Sequence, residues 1–526
     1  MRLQIMRAAL LGGVAMLAQI AGVHSQQAQA APRPPLEYRP ALPLEANGAL
    51  AGRDMAAPVA TLEDAIALAY WTNPSLLAQR STLRAADTLY PEARSAYGPQ
   101  LNLQASHAYA YDRTETQDDV WRRDKGFSST ADLIFSQNLF SSGRKAAAEG
   151  AALAEIEVGR NQLRLREAQV MLDVIAAYVA VIRDREIVGI ANENLALLDR
   201  QYDSSAKRFK VREITSTDLQ QVRTRVEFGR AQLLSAKGQL GASESRFVQH
   251  IGALPGNLAE PSLPLSGVAS LDQAYALVDG NSPLVQAAMA REKISRANVA
   301  SARAERGPDL SWQGSGSYGT VTPYQNRLRA TEIRSALVLT VPIIDSGARR
   351  ARIERARQGN DADWRLVDMA LRDARQSAAS AWDGYQAGRL SLAHYRQATE
   401  AAEQAYEGAL AQEKAGMRTT LDVLDLARDL LTVRTSYVSA RANEYVAKSN
   451  LISAMGNLEG PLLVPAIRSY DPQGNFQRQD GRGDVPALTY VLSGLDDIFV
   501  TDMQYNRPIR DSAGLTMSRQ QLLGQD

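Results

Sequence analysis

"LNLQASHAYAY", residues 101–111, sets Leu101, Leu103, Ala105, His107, Tyr109 and Tyr111 on one side of an extended chain and Asn102, Gln104 and Ser106 on the other. A period of two is the period of a β-strand. A return run follows, in which Phe127, Ala131, Leu133, Phe135 and Leu139 alternate with Ser128, Thr130, Asp132, Ser136 and Asn138. Further along, Leu310, Trp312 and Tyr318 oppose Gln313, Ser315 and Ser317, and Ile333, Leu337, Leu339 and Val341 oppose Arg334 and Thr340. Apolar-out, polar-in alternation over roughly ten residues marks the strands of a membrane barrel. It fits a pair of half-buried hairpins on a soluble sheet equally well, and the period alone does not separate the two.

The chain repeats itself. "TLEDAIALAYWTNPSL" from Thr61 matches "SLDQAYALVDGNSPL" from Ser270, and Gly98-Pro99 matches Gly307-Pro308, an offset of 209 residues. "LFSSGRKAA" from Leu139 matches "IIDSGARRA" from Ile343, and "HIGALPG" from His250 matches "AMGNLEG" from Ala454, each at an offset of 204. Two copies of one unit are therefore expected, at 61–258 and 270–459, with a five-residue contraction between the first helix and the second strand. A Pro-rich segment at 31–60 precedes them. A Pro/Gly/Asp-rich tail at 460–526 follows, expected on the periplasmic side about the middle of the long helices.

Residues 1–30 carry Arg2 and Arg7, an apolar run from Ala8 to Val23 and small residues at Ala28 and Ala30, the pattern of a secretory signal peptide. No later run is long and apolar enough for a membrane helix, so any crossing has to use strands. With this leader and the strand aromatics, the barrel becomes the favoured reading. Hydrophobic content of 45% and charged content of 22% exclude a disordered chain. A net charge of +1 leaves no global basic field to gather nucleic acid. The absence of cysteine removes disulfides, thiolate metal sites and thiol catalysis, and the four histidines are scattered. No catalytic residue, metal site or cofactor is indicated.

Four strands per chain do not close a barrel, and open sheet edges are not tolerated in lipid. Three copies supply twelve strands, whereas two supply eight and leave little lumen, so a homotrimer is expected. After each strand pair comes a run poor in Gly and Pro, Arg144–Arg212 and Ala348–Ala415, which as a continuous helix reaches roughly 100 Å. Helices of that length need lateral partners, as in a coiled coil. Ala176, Ala177, Ala180, Ala379 and Ala381 are the expected packing positions. The fold expected is thus mixed α and β: long antiparallel helices forming a coiled-coil barrel, plus four strands that join a shared twelve-stranded transmembrane barrel.

Asp422 and Asp425 stand three apart on a helix just beyond Gly416, so they share a face. Alone, two such acids read most simply as solvated side chains near a helix start, where the dipole favours them. "RFKVREITSTDLQQVRTR" (208–225) and "AGMRTTLDVLDLARDLL" (415–431), set in the double repeat, resemble the TolC family of outer-membrane efflux and secretion channels. That resemblance spans Thr61 to Gly460 and implies a trimeric duct with a helical tunnel that narrows at two helix-turn-helix tips per chain. It implies an acidic ring from Asp422 and Asp425, a gate lock involving Arg418, Thr217 and Asp218, and tips at Val211, Arg212, Gly416 and Met417 that meet a periplasmic adaptor (membrane fusion) protein. It also implies an inner-membrane transporter of ABC, RND or MFS type behind the adaptor, and outer-membrane lipid around the barrel.

Like charges about 6 Å apart in water repel by about 0.7 kcal/mol, so such a ring favours cations. Two positions depart from the family pattern. Glu413 replaces a tyrosine and is expected to repel Asp218, unless Arg212 or Lys414 compensates, and Arg212 replaces a glycine. The alternative function is a coiled-coil envelope protein that conducts nothing.

Two motifs lose their usual meaning in context. "GSGSYG" (314–319) satisfies a dinucleotide-loop pattern but lies in a strand with no helix after it. "RGD" (482–484) lies in the loop-like tail, where a three-residue match carries little information.

Overall fold

The computed structural model describes residues 58–497, except 116–117, 119–120, 263–267, 323–327 and 483. The expected signal peptide, nearly all of the Pro-rich segment and the tail beyond 497 lie outside the described residues. The first repeat comprises α1 (Leu62–Thr72), α2 (Pro74–Ala86), α3 (Leu89–Ser95), β1 (Gln100–Glu115), β2 (Trp121–Phe140), α4 (Arg144–Lys210) and α5 (Ser216–Ile251). The second comprises α6 (Leu271–Asn281), α7 (Pro283–Ala304), β3 (Asp309–Thr320), β4 (Arg329–Thr340), α8 (Ala348–Lys414) and α9 (Thr420–Ala454). Three short tail helices follow, α10 (Gly460–Leu463), α11 (Gly474–Gln479) and α12 (Pro486–Asp497).

Local chemistry sets the helix boundaries alike in both repeats. Thr61 and Ser270, 209 residues apart, each accept the backbone N–H three residues on and so cap α1 and α6. Pro74 and Pro283 occupy the first turn of the next helix, where no N–H is missed. Each strand-to-helix turn is a Ser-Gly pair with both φ positive: Ser142 +54° and Gly143 +88°, Ser346 +52° and Gly347 +88°. Such left-handed pairs reverse the chain tightly, and they start two helices of 67 residues each.

The sheet order is β1-β2-β3-β4, all antiparallel, so β1 and β4 are edges. Leu101 lies opposite Phe135, Leu103 opposite Leu133, Phe135 opposite Gly314, Gln137 opposite Trp312 and Trp312 opposite Leu337, which gathers the expected apolar residues on one face. One position differs from the alternation read in the sequence. A bulge between Asn138 and Phe140 shifts the parity, so Phe140, not Leu139, stands opposite Leu310. The five-residue contraction falls at the hairpin tip, since β1 and β2 run longer (16 and 20 residues) than β3 and β4 (12 each).

α4 packs on α5, α7 and α9, and α8 packs on α7 and α9. The buried stripe of α8 passes through Val367, Ala370, Ala374 and Ala378, spaced three and four apart. Ala379 and Ala381, expected on that stripe, are half-exposed beside it, and on α4 Ala177 is buried while Ala176 and Ala180 flank it. The densest core joins α1, α4 and α5 through Tyr70, Trp71, Met171, Tyr178 and Phe247. Within it the Arg80 guanidinium lies 4.5, 4.9 and 4.8 Å from the ring centroids of Tyr70, Trp71 and Tyr470. Glu167 stands 3.8 Å from Arg80, and burial pushes its carboxyl up to about 7.

The described part of the tail, 460–497, runs antiparallel along the strand-proximal part of α4 rather than about the middle of the long helices. Tyr470 N–H donates to Tyr70 Oη at 3.0 Å, the Phe476 ring faces Arg160, and Asp484 holds Arg94 by two bonds of 2.8 and 2.9 Å beside Glu149. The aspartate of the RGD sequence is thereby engaged inside the protein. At the end of this path, Asp496 accepts from Ser141 N–H (2.9 Å), Ser141 Oγ (2.5 Å) and Gly143 N–H (3.3 Å). In the second repeat that role is filled locally by Asp345, 204 residues after Ser141, which accepts from Gly347 N–H at 3.1 Å and Arg349 N–H at 2.8 Å.

Candidate functional site at the helix tips

Both tips close by the same backbone motif. Glu213 N–H reaches Arg208 O and Met417 N–H reaches Gln412 O, each at 2.9 Å, and the residue before each is left-handed, Arg212 at φ +60° and Gly416 at φ +76°. Only the glycine holds that conformation without strain from a Cβ. Val211, Arg212, Gly416 and Met417 are all exposed at these turns.

Each tip is followed by a reciprocal cap. Thr215 Oγ1 accepts from Asp218 N–H and Thr419 Oγ1 from Asp422 N–H, while the aspartates accept back from the threonine backbone at 3.0 and 3.1 Å. Asp218 is held below the usual carboxylate range by the Thr215 N–H and then its hydroxyl, and Asp422 by the Thr419 hydroxyl and then its N–H. Arg418 adds to the effect on Asp422 through its charge, and Thr217 lies exposed in the first turn of α5.

Asp422 and Asp425 do project from the exposed side of α9, because Val423, Leu424 and Ala427 between and after them are buried. Leu424 packs with Leu198, Val222 and Val226, which fixes α9 against α4 and α5. The two acids nevertheless have separate partners within the chain, since Asp425 meets Arg225 of α5 at 2.9 Å. Glu413 has its side chain only 9% exposed and is a junction of three donors: Thr420 Oγ1 at 2.8 Å, Gln201 Nε2 at 2.9 Å and Arg208 at 3.5 Å. Within the chain the cation beside Glu413 is Arg208. Further along, Arg434 joins Glu403 and Glu193, and Arg441 joins Glu186. A cleft of about 480 Å³ opens there between α4, α8 and α9.

The two capping boxes carry a sequence signal, T-x-x-D, that the reading of the sequence did not use, whereas Gln201, Thr420 and Arg225 carry no sequence signal for their roles. Among the described residues no cluster of His, Cys, Asp or Glu is arranged to hold a metal, and no helix is long and apolar enough to cross a membrane.

BepC, an outer membrane efflux protein of Brucella suis biovar 1 (strain 1330), is 27% identical over 417 residues, covering 79% of this chain and 90% of that one. TolC of Escherichia coli (strain K12) is 24% identical over 406 residues, covering 74% and 80%. The crystal structure of the Campylobacter jejuni CmeC outer membrane channel superposes with a TM-score of 0.66 at 16% identity, covering 84% of this chain and 96% of that one. The model of the outer membrane efflux protein family matches residues 65–253 and 274–457, the two repeats in turn, and the chain belongs to that family of outer-membrane channels, which are not enzymes.

Proposed function

We propose that three copies of this chain form the outer-membrane exit duct of a tripartite efflux pump, or of a type I secretion system, with the tips as its periplasmic gate. One observation carries the reading: among the described residues, a four-stranded sheet with two open edges and an apolar face that no helix layer covers. Leu101, Leu103, Tyr109, Ile333, Leu337 and Leu339 on the apolar face are all exposed in the single chain. In water such a sheet is an aggregation hazard, and in lipid its unpaired edges are not viable. Twelve strands shared by three chains remove both difficulties.

At the other end Asp422 and Asp425 of three chains bring six carboxylates about one axis, a filter that favours cations. Arg225–Asp425 and Arg208–Glu413 hold neighbouring helices of one chain together at that level, alongside a lock involving Arg418, Thr217 and Asp218. The exposed Arg225–Asp425 pair contributes only about 0 to 1 kcal/mol, so docking of an adaptor on Val211, Arg212, Gly416 and Met417 releases it readily, whereas the nearly buried Glu413 junction resists more. An inner-membrane transporter of ABC, RND or MFS type delivers the cargo.

Reconstitution of the extracted protein in a planar bilayer tests the reading. A conducting trimer whose cation preference falls when Asp422 and Asp425 are both changed to asparagine is expected. A soluble, non-conducting rod means that the alternative, a purely structural envelope protein, is correct.

A further inference from the structure

The two offsets that relate the repeats hold residue for residue in the sheet. Shifting β1 by 209 and β2 by 204 turns the pair Leu101 and Phe135 into Leu310 and Leu339, which is the pairing observed in the second hairpin. Between the hairpins, β2 meets β3 with Ser136 opposite Gln313, Phe135 opposite Gly314 and Leu133 opposite Gly316. β4 is the counterpart of β2, and β1 is the counterpart of β3, yet both present open edges. We propose that β4 of one copy pairs with β1 of the next in the register of β2 with β3, so that Thr340 faces Gln104, Leu339 faces Ala105 and Leu337 faces His107 of the neighbour. The inference rests on the shared-barrel reading above and adds to it the seam.

Two observations are consistent with this register. The first is parity. The pairs it creates join apolar-face residues with apolar-face residues and Thr340 with Gln104 on the polar face, whereas a one-residue slip exchanges the faces along the whole strand.

The second is at the turn below the sheet. Within the chain, Ser142 Oγ donates to Pro308 O at 2.6 Å, and a Cβ on Gly307 would stand 2.2 Å from that Oγ, so glycine is required there. The counterparts are Ser346 and Gly98-Pro99. Ser346 makes no such contact within its own chain, since a Cβ on Gly98 would meet nothing nearer than Ser95 O at 3.3 Å. The adjoining Ile343 and Ile344 are 88% and 87% exposed, while their counterparts Leu139 and Phe140 are half-covered. A second copy of the chain, seated with its Gly98-Pro99 turn on Ser346, supplies the missing cover.

The natural absence of cysteine allows a direct test. Leu339→Cys with Ala105→Cys, and Thr340→Cys with Gln104→Cys, are oxidised in native membranes. Adjacent antiparallel pairs alternate between Cα spacings of about 5.5 and 4.5 Å, both within disulfide reach. A covalent trimer on denaturing gels is expected, several-fold more abundant than with the slipped pairs Leu339→Cys with Leu103→Cys or with His107→Cys.

A slipped pair that dominates overturns the register and leaves the shared barrel standing, as does a trimer in which no pair reacts. No reaction from a protein that extracts as a monomer overturns both. In the same membranes Gly98→Ala is expected to lower trimer recovery several-fold without loss of helical circular dichroism, and unchanged recovery removes the turn contact from the seam.

Discussion

Changing Asp496 to alanine tests whether the tail caps the first repeat. Its carboxylate, 1% exposed, receives three hydrogen bonds from the turn that starts α4, and Lys145 lies close enough for its ammonium to feel the charge. Loss of a capping side chain costs about 0.5–2 kcal/mol. A buried donor left unmet costs about 1–3 kcal/mol, and Ser141 N–H is such a donor. Because the Ser141 hydroxyl can turn to another acceptor, roughly 2–4 kcal/mol is expected in total, or a thirtyfold or greater loss of amide-exchange protection over the first turn of α4.

The second repeat supplies the control. Position 345 is already aspartate, and Arg349 pairs with it at 3.3 Å just as Lys145 stands four residues after Ser141. Ser141→Asp in the Asp496→Ala background therefore moves the carboxylate from the tail into the turn, and most of the protection is expected to return. Protection unchanged by Asp496→Ala, or lost and not recovered in the double variant, refutes the capping role and leaves the tail as packing alone.

Four further outcomes follow from the geometry. Glu413→Ala with Arg225→Ala frees Arg208, Gln201, Thr420 and Asp425 together; losing roughly 1.4 kcal/mol of closure corresponds to about tenfold more open channel, read as single-channel open probability, with each single change doing less. Arg212→Gly relieves a left-handed Cβ, so exchange at the first tip is expected to slow by a fewfold, corresponding to roughly 0.5–1 kcal/mol, and faster exchange there would contradict the strain. Folded Asp218 and Asp422 lie below their unfolded range, so their caps contribute above that range and are lost as pH falls through the folded values; exchange at the first turns of α5 and α9 is expected to rise only in acid, and Thr419→Ala is expected to remove the pH dependence in α9. Glu167 is shifted the opposite way, to about 7, so the stability linked to it is full below the ordinary carboxylate range and declines up to about pH 7; in Glu167→Gln, melting temperature is expected to lose that slope.

Much of the architecture was legible because it depends on local periods. Alternation from Leu101 and from Ile333 located the strands, and the Gly/Pro-poor runs gave both 67-residue helices. What escaped sequence reasoning was set by partners far along the chain. A bulge at Leu139 depends on how β2 meets β3, and no residue near 139 reports it. Gln201 and Arg208, more than two hundred residues before Glu413, were invisible as its donors. The contact of Asp425 with Arg225 on another helix was invisible in the same way. The path of the tail was illegible for the same reason, since nothing in "GLDD" says that one of its acids completes a turn 355 residues away.

Where the repeats differ, the difference breaks an approximate symmetry with chemical consequences. In the proposed ring of three chains there would be six nearly equivalent strand-helix units, and identical tips would offer a partner six indistinguishable sites. Arg212 against Gly416, Glu213 against Met417 and Phe209 against Glu413 make two kinds of tip, one strained and basic, one relaxed and carrying a buried acid junction. The junction under the sheet is likewise of two kinds, one capped by Asp345 of its own turn and one by Asp496 of the tail. On the proposed trimer, a partner that recognises both kinds would have to engage one chain in one orientation, and docking would then be threefold rather than sixfold. Restoring the symmetry at the tips, with Arg212→Gly and Glu213→Met together, is expected to raise adaptor stoichiometry per trimer in native mass measurements. An unchanged ratio would mean that the tips do not set it.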